Sequence, residues 1–341
     1  MEWIVFNKQT INQYIQFIDN HNNSSIWQYP CWLDFQLQTN KAKDGFFFGI
    51  KINNEIKLAG LLLIHQNAMK FNYSYIPGGF LYNDIDKKVY DFFIFNLKKI
   101  AKDKKIIYSQ IDSITPYSEL YYEIINKYKH HKFNIELPIP DHTNIIELSQ
   151  NENIILSQMK HKGRYNIKLS IKKGVKIKKA KPDEINLFFQ LLEKTAIRDN
   201  FYINDEEYYK KILTCIPDSV LLLAYYKNTL LAGGIFLFTK NYGIYYYGAS
   251  SDQMRNLMAP YLIQWEAIKI AKKKNCKYFD FLGVAPPNAS NNRLASVTDF
   301  KLKFGGEIIR FNPSFCIIHN VFFYHIYDEI KKIYKKFIKR G

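Results

Sequence analysis

The same order of helices and strands occurs twice along this chain of 341 residues. Each copy predicts a helix, an antiparallel hairpin, a third strand, a second helix and a last strand. The first copy places them at residues 32–38, 46–52, 57–60 with the apolar run that follows, 73–75, 89–102 and 105–112. The second copy places them at residues 184–198, 220–226, 230–233 with the apolar run that follows, 245–248, 261–274 and 277–283. The repetition predicts two similar α/β (α+β) domains with a cleft between them. The alternative is a chance match in a chain rich in Ile, Phe and Tyr.

The chain is long enough to form two domains of ordinary size. Pro138-Ile139-Pro140 would interrupt any regular element, so the join is expected near these residues. We therefore expect a first domain at residues 1–145 and a second at residues 146–341. The second would end in a basic amphipathic helix at residues 322–339. That helix is expected to pack on a neighbouring domain or, alternatively, to lie on an anionic membrane surface.

The formal net charge of +17 favours a polyanionic partner such as RNA, anionic lipid or pyrophosphate. Compositional bias toward Lys is the alternative explanation, but ten basic residues fall within residues 160–181. The four cysteines are scattered without metal-ligand spacing, so reduced thiols and no metal site are expected. There is no signal peptide and no apolar run of about 20 residues, so the protein is expected in the cytoplasm.

The sequence contains no motif for covalent catalysis, metalloprotease activity or nucleoside triphosphate binding. This favours catalysis by positioning and electrostatics. The doubled unit suggests the GNAT-like N-acyltransferase architecture. Acyl-CoA enzymes of that architecture bind pyrophosphate with a Gly-rich turn at a helix N-terminus. The corresponding turn here, residues 249–259, lacks the required glycines, and Pro77-Gly78-Gly79 in the first copy does not supply them. The sequence therefore favours an acyl carrier other than CoA.

An ordered set of short motifs resembles the FemABX family of peptidoglycan bridge-forming aminoacyltransferases. Each motif alone is weak, but together they cover nearly the whole chain. They are Trp-Gln-Tyr-Pro-Cys-Trp at 27–32, Arg-Tyr-Asn-Ile at 164–167, Lys-Lys-Gly-Val at 172–175, Thr-Ala-Ile-Arg-Asp-Asn-Phe-Tyr at 195–202, Tyr-Gly-Ala-Ser at 247–250, Pro-Tyr-Leu-Ile-Gln-Trp-Glu at 260–266, Phe-Asp-Phe-Leu-Gly at 279–283 and Phe-Lys-Leu-Lys-Phe-Gly-Gly at 300–306.

The resemblance implies two tandem GNAT-like domains without the helical coiled-coil arm of some members. It implies a cofactor-independent enzyme that moves Gly, Ala or Ser from aminoacyl-tRNA to an amine of a peptidoglycan stem peptide. The acceptor would be lipid II or UDP-MurNAc-pentapeptide. A monomer that makes peripheral contact with the inner membrane surface is expected. Two rival functions are an acyl-CoA-dependent N-acyltransferase and a non-catalytic RNA- or membrane-binding protein.

The resemblance also implies roles for individual residues. Lys301, with Phe300 beside it, would lie near the transferring acyl group, and Asp112 would orient the acceptor amine. The residues implied to bind the precursor are Arg198, Tyr202, Tyr247 and Gln36, the last at a position where the family often has Lys. The residues expected to bind tRNA are Lys160, Lys162, Arg164, Lys168 and Lys172. The alternatives are a surface lysine for Lys301, a helix-end residue for Arg198, a core aromatic for Tyr247 and a turn cap for Asp112.

Overall fold

The fold is taken from a computed structural model, which describes residues 1–83, 86–127, 139–287, 289 and 292–338, with side chains as far as residue 333. The strands are β1 (Glu2–Phe6), β2 (Asp44–Ile52), β3 (Glu55–Gln66), β4 (Asn72–Ile76), β5 (Leu81–Tyr82), β6 (Ile106–Ile111), β7 (His142–Glu147), β8 (Lys176–Ala180), β9 (Val220–Tyr226), β10 (Thr229–Phe238), β11 (Tyr242–Ser250), β12 (Tyr278–Gly283), β13 (Glu307–Arg310) and β14 (Phe315–Ile318). The helices are α1 (Ile11–Asp19), α2 (Pro30–Gln38), α3 (Lys87–Asp103), α4 (Glu119–Asn126), α5 (Glu152–Gln158), α6 (His161–Lys172), α7 (Ile185–Asp199), α8 (Glu206–Cys215), α9 (Ala259–Lys273), α10 (Ala295–Lys301) and α11 (Val321–Ile338).

The described strands form two mixed sheets, which confirms the predicted α/β fold. The first sheet has the order β1-β2-β3-β4-β6-β14, with β5 paired to β3, and the second has the order β13-β7-β12-β11-β10-β9-β8. In each sheet the third and fourth strands of the repeat are parallel and the other pairs are antiparallel. A helix connects each parallel pair, α3 between β4 and β6 and α9 between β11 and β12. The predicted duplication is thus present strand for strand.

The chain divides into two compact units whose bounds differ from the predicted domains. Unit 1 contains residues 1–139 and 311–341, and unit 2 contains residues 140–310. The prediction placed the whole C-terminal segment in the second domain, but β14 pairs with β6 and buries Phe315, Cys316 and Ile317 in unit 1. Tyr324 of α11 also packs on Tyr108 of β6, with their ring centroids 5.6 Å apart. Pro138 and residue 339 of the predicted helix lie outside the described residues.

Apolar side chains at helical spacing hold α3 and α9 against their sheets. On α3, Tyr90, Phe93 and Leu97 are fully buried, and the Asp86 carboxylate caps the helix by accepting a hydrogen bond from the Val89 N–H at 2.7 Å. On α9, Leu262, Trp265 and Ile268 are buried in the core of unit 2. Burial of each such side chain stabilises the fold by about 1.5–3 kcal/mol.

The basic segment that begins at Lys160 follows a corner between two helices, α5 and α6. Met159 and Lys160 between them have extended backbone conformations. Gly163 lies inside α6, where a Cβ atom would collide with the backbone carbonyl oxygen of Lys303. The glycine therefore permits close approach of α6 to the turn that follows α10.

Candidate functional site

Lys301 is the last residue of α10, and its ammonium group is buried in unit 2. The residue is 7% exposed, and its Nζ donates hydrogen bonds to the carbonyl oxygens of Leu282 and Gly283 at 3.1 and 2.7 Å. Burial lowers the pKa of Lys301 to about 8, although the Asp280 carboxylate opposes that shift. Because an ammonium group has three N–H donors, one has no acceptor among the described residues. The alternative that Lys301 is a surface lysine is wrong.

The end of β12 has the conformation that these hydrogen bonds require. Leu282 adopts a left-handed backbone conformation with φ of 55°, which is unfavourable for a branched side chain. The Asp280 carboxylate accepts a hydrogen bond from the Leu282 N–H at 2.7 Å and another from the Thr143 hydroxyl, and both stabilise the turn. Asp280 therefore acts on Lys301 in two ways, through its charge and through the position of the Leu282 carbonyl group.

The buried charge of Lys301 predicts a pH-dependent stability. The pKa of an exposed lysine in the unfolded chain is about 10.5, against about 8 for Lys301 in the folded chain. Between these values the unfolded chain binds more protons, so the free energy of unfolding rises with pH. The free energy of unfolding of the wild type, measured relative to that of Lys301→Met, should therefore rise by about 2 kcal/mol between about pH 7 and 9.5.

Denaturant titrations of both proteins at each pH measure this difference, and groups other than Lys301 cancel in the subtraction. Lys179→Met on β8, where the lysine is exposed, is the control and should show no trend against the wild type. A wild-type protein and a Lys301→Met variant whose stabilities run in parallel across this range would contradict the assigned burial of a charged lysine.

A cavity of about 340 Å³ in unit 2 lies beside the segment that carries Lys301. Phe300 and Val297 of α10 form part of its wall, and the first turn of α9 forms another part. In that turn Pro260 has no N–H, and the Tyr261 N–H donates a hydrogen bond to the Met258 carbonyl oxygen at 3.0 Å, so neither residue offers a free N–H to a ligand. The remaining wall includes Arg198 of α7 and Tyr245 of β11.

The part of β11 that lines the cavity, from Tyr245 to Ser250, lies beyond its pairing with β12. β11 and β12 are paired only from Tyr242 with Tyr278 to Ile244 with Asp280, although β11 continues to Ser250. The corresponding strands of unit 1, β4 and β6, remain paired to their last residues, Ile76 and Ile111. The two copies of the repeat therefore differ at this point: the parallel strands open in unit 2 and stay paired in unit 1.

The buried Gln264 side chain and the partly buried Tyr245 side chain line the cavity. The Gln264 amide of α9, 2% exposed, hydrogen-bonds the Tyr245 hydroxyl, while its Oε1 has no hydrogen-bond partner among the described residues. Gly248 permits this arrangement, because a Cβ atom there would collide with the Tyr245 hydroxyl group. An acceptor without a partner costs about 1–3 kcal/mol when it is buried, so Gln264 Oε1 favours a ligand that donates a hydrogen bond.

The three predicted precursor-binding residues of unit 2 have different surroundings. The Arg198 guanidinium lines the cavity but is bidentate to Asp199 at 2.8 Å, and it also bonds the Ser250 carbonyl and Asp252. A diphosphate would have to displace Asp199 from it. Tyr202 is 95% exposed. Tyr247 packs edge-to-face against Tyr209 at 5.0 Å, within a cluster of tyrosine side chains.

The basic helix α6 begins next to the Lys301 segment. Lys160, Lys162, Lys168 and Lys172 are exposed. The pKa of Asp299 on α10 is lowered by a hydrogen bond from Lys303, and by the charges of Lys160 and Lys162. Lys303 also hydrogen-bonds Tyr261, which lines the cavity. Basic side chains thus lead from the start of α6 to the cavity wall.

Arg164 differs from the other predicted tRNA-binding residues. It is half-buried, and its guanidinium donates hydrogen bonds to the carbonyl oxygens of Ser157 and Met159 at the end of α5. These carbonyl groups have no partner within α5, so Arg164 satisfies them and fixes the α5–α6 corner. This contact gives Arg164 a structural role in the corner.

The two predicted site residues of unit 1 are buried. Asp112 follows β6 and accepts hydrogen bonds from the Tyr75 hydroxyl at 2.5 Å and from Gln110 at 3.3 Å. Burial raises the pKa of the Asp112 carboxyl to about 6, against the effect of these hydrogen bonds. Gln36 on α2 is 8% exposed, and its backbone carbonyl oxygen accepts hydrogen bonds from the N–H groups of Lys41 and Ala42. Its side chain is therefore less accessible than a surface lysine would be.

Sequence reasoning did not select Asp280 or Gln264. Each had a signal, since Asp280 stands between Phe279 and Phe281 in an apolar strand and Gln264 interrupts the buried face of α9. A polar residue within a buried pattern usually has a hydrogen-bonding or functional reason.

Comparisons with known proteins agree with this geometry. The model of the FemAB family matches residues 10–227 and 223–332. Aminoacyltransferase FemA of Staphylococcus epidermidis is 22% identical over 97% of this chain and 100% of its own length. The lipid II:glycine glycyltransferase of the same species is 21% identical over 94% of each chain. The FemA alignment spans 417 positions against the 341 residues of this chain, so the relative has additional residues that this chain lacks.

Solved structures give the same fold. The crystal structure of FemX has a TM-score of 0.84 at 18% identity and covers 96% of this chain and 99% of that one. A tandem GNAT protein from the clavulanic acid biosynthesis pathway has a TM-score of 0.56 at 8% identity, with 94% and 98% covered. The helices of unit 2 have at most 15 residues where the structure describes them, so no coiled-coil arm is present there. The enzyme class is that of the aminoacyltransferases. The family match extends over most of the sequence, and this chain belongs to the FemAB family.

Proposed function

We propose that this enzyme transfers an aminoacyl group from aminoacyl-tRNA to the side-chain amine of the third residue in a peptidoglycan stem peptide. The observation that carries the proposal is the buried Lys301 ammonium, one N–H of which has no acceptor among the described residues, on a segment that forms part of the wall of a cavity. The basic face of α6 beside that segment supports a nucleic-acid donor rather than a small thioester.

The reaction exchanges one bond for another without a redox step. The amine nitrogen of the acceptor attacks the carbonyl carbon of the aminoacyl ester, and a tetrahedral intermediate forms with negative charge on its oxygen. When this intermediate collapses, the new C–N bond remains as an amide and the ester C–O bond to the ribose breaks. The amine loses a proton, and the ribose oxygen gains one.

Lys301 supplies the electrostatic part of this reaction. Two of its N–H groups are fixed on the Leu282 and Gly283 carbonyl groups, so the direction of the third is also fixed. A fixed donor in a site with little water stabilises a developing oxyanion more than a mobile surface lysine does. With a pKa of about 8, the group is mainly protonated at neutral pH and can lend a proton to the departing ribose oxygen.

The cavity is proposed to hold the aminoacyl end of the donor, with Gln264 Oε1 accepting a hydrogen bond from the α-ammonium group. Gln264→Leu should therefore lower kcat/KM for aminoacyl-tRNA by about 10- to 100-fold, since a hydrogen bond to a charged group contributes about 1.5–3 kcal/mol. Steady-state kinetics with varied aminoacyl-tRNA measure this. Tyr245→Phe removes the neighbouring hydroxyl but keeps Oε1, so it is the matched control and should lose less than threefold. Equal losses in both variants would contradict the role of Oε1.

On the acceptor side, Asp112 in unit 1 is proposed to orient the attacking amine. Its carboxyl is buried, and its pKa of about 6 leaves it mainly ionised at neutral pH, where it can accept a hydrogen bond from an ammonium or amine. Precursor contacts by Arg198, Tyr202, Tyr247 and Gln36 belong to the same proposal. Glycine and lipid II are the first pair to test, because a relative over most of the chain is a lipid II:glycine glycyltransferase.

The test is transfer of radiolabelled Gly, Ala or Ser from charged tRNA to lipid II and to UDP-MurNAc-pentapeptide. We expect transfer with at least one pair, and no acetylation of either acceptor when acetyl-CoA replaces the charged tRNA. Acetyl transfer without aminoacyl transfer would overturn the proposal in favour of an acyl-CoA enzyme. Tight tRNA binding without transfer to any acceptor would favour a binding protein.

A further inference from the structure

A second cavity, of about 860 Å³, lies in unit 1 at a place that the proposed reaction does not use. It lies where α3 ends, β4 and β6 begin, β14 ends and α11 begins. Strands β4 and β6 are parallel, and the cavity lies at their N-terminal ends. Asp112 follows β6 at the opposite, C-terminal end.

The cavity is lined by cationic side chains without acidic ones. Its described lining contains Lys70, Lys98, Lys102 and Lys105, and it contains no Asp or Glu. All four lysines are exposed, and none has an ion pair within the part of the chain that the structure describes. Nearby Lys104, by contrast, pairs with Asp44 at 3.2 Å. Like charges around one concave surface repel one another and create a positive potential, which favours an anionic ligand.

The same cavity has an apolar floor and an apolar rim. Ile106, Ile107 and Ile318 line it, and Phe323 of α11 packs on Phe71 with a centroid separation of 5.3 Å. At the rim, Val321 and Phe322 are 61% and 70% exposed. Exposed aromatic and aliphatic side chains next to unpaired lysines match a ligand that is anionic at one end and apolar at the other.

Helix α3 extends this surface, and α11 does so as well. Phe95 is 65% exposed and lies three and seven residues before Lys98 and Lys102, on the same face of α3. On α11, Tyr324 and Tyr327 pack on Tyr108, whereas Ile330 and Ile333 are 44% and 53% exposed. One face of α11 therefore packs on unit 1, and another presents apolar side chains to solvent.

We propose that this surface of unit 1 docks on an anionic membrane. The phosphate of a phospholipid headgroup would lie among the four lysines, and Phe322 and Val321 would enter the boundary between headgroups and acyl chains. No helix among the described residues is long and apolar enough to span a bilayer, so contact through such a surface would be peripheral. The inference does not rest on the proposed reaction, because it uses neither the Lys301 site nor α6.

Co-sedimentation of the full chain with vesicles tests the proposal. Vesicles of phosphatidylcholine alone are compared with vesicles that contain 30% phosphatidylglycerol, and only the second should bind at moderate salt. A lysine near an anionic surface contributes about 1 kcal/mol, so Lys70/Lys98/Lys102→Glu should lower the partition coefficient by about 100-fold. Phe322→Ser, at an exposed position, should lower it about tenfold without a change in melting temperature.

The matched control is Lys162/Lys168/Lys172→Glu, which changes the net charge equally but lies on α6 in unit 2. It should leave vesicle binding within about threefold of the wild type. Equal losses in the two triple variants would show attraction by net charge alone and would overturn the proposal. Loss of tRNA binding, with vesicle binding unchanged, in the Lys70/Lys98/Lys102→Glu variant would assign the surface to RNA and would also overturn it.

Discussion

Replacing Lys301 by Met should lower kcat for aminoacyl transfer by about 10²–10³-fold, while the dissociation constants of both substrates change by less than about threefold. Removal of one fixed oxyanion donor has an effect of this size in other acyl-transfer sites. The methionine side chain fills similar space in the buried position, so loss of the charge rather than of packing is tested. Single-turnover transfer, with substrate binding measured separately, gives both quantities.

Two controls separate this role from a merely structural one. Lys179→Met, an exposed lysine of unit 2, should keep the wild-type kcat. Asp280→Asn should keep a folded protein but move the alkaline fall of kcat to lower pH, because the Asp280 charge raises the pKa of Lys301. A near-wild-type kcat of the Lys301→Met enzyme would contradict the proposal that Lys301 stabilises the oxyanion, whatever the substrates are.

Reversing three lysines of α6, in Lys162/Lys168/Lys172→Glu, should weaken binding of aminoacyl-tRNA by about 30- to 100-fold, at about 1 kcal/mol or less for each exposed contact. The slope of log K against log salt concentration should fall in magnitude by about 3, one for each lost phosphate contact. Filter binding across a salt series measures both values. Transfer at saturating tRNA should be nearly unchanged, since these side chains are exposed and the recorded partners of Lys301 are Leu282, Gly283 and Asp280.

The matched control for α6 is the unit 1 variant Lys70/Lys98/Lys102→Glu, which has the same change in net charge. It should bind tRNA with wild-type affinity. An α6 variant that binds no more weakly than this control would show that α6 is an ordinary solvated helix. Arg164 is kept in both variants, because it fixes the α5–α6 corner through the Ser157 and Met159 carbonyl groups.

The repeat in the sequence predicted most of the fold because each element has its own local signal. Strand and helix periods occur in the same order in both copies, and β2-β3-β4-β6 and β9-β10-β11-β12 have the same pairing. The return of β14 to unit 1 had no such signal. Residues 315–318 are an ordinary short apolar run, and their pairing with β6, about two hundred residues earlier in the chain, is decided by which sheet edge is open.

The site was predicted less completely than the fold. The motif around Lys301 identified the residue, but its burial and its hydrogen bonds depend on the left-handed turn at Leu282, which no local pattern predicts for a leucine. Asp280 and Gln264 are functional candidates only because tertiary packing buries them beside Lys301 and the cavity. For Arg198, no local pattern indicated that Asp199 and Asp252 hold its guanidinium.

The most direct test of the central claim is the mass of the acceptor after one turnover. Purified enzyme is mixed with glycyl-tRNA and lipid II, and the stem peptide is released and fragmented. We predict a mass increase of one glycyl residue, located on the side-chain amine of the third residue. We also predict that the Lys301→Met variant forms this product at least a hundredfold more slowly. An acceptor that stays unmodified with glycyl-, alanyl- and seryl-tRNA, or equal rates in the two proteins, would contradict it.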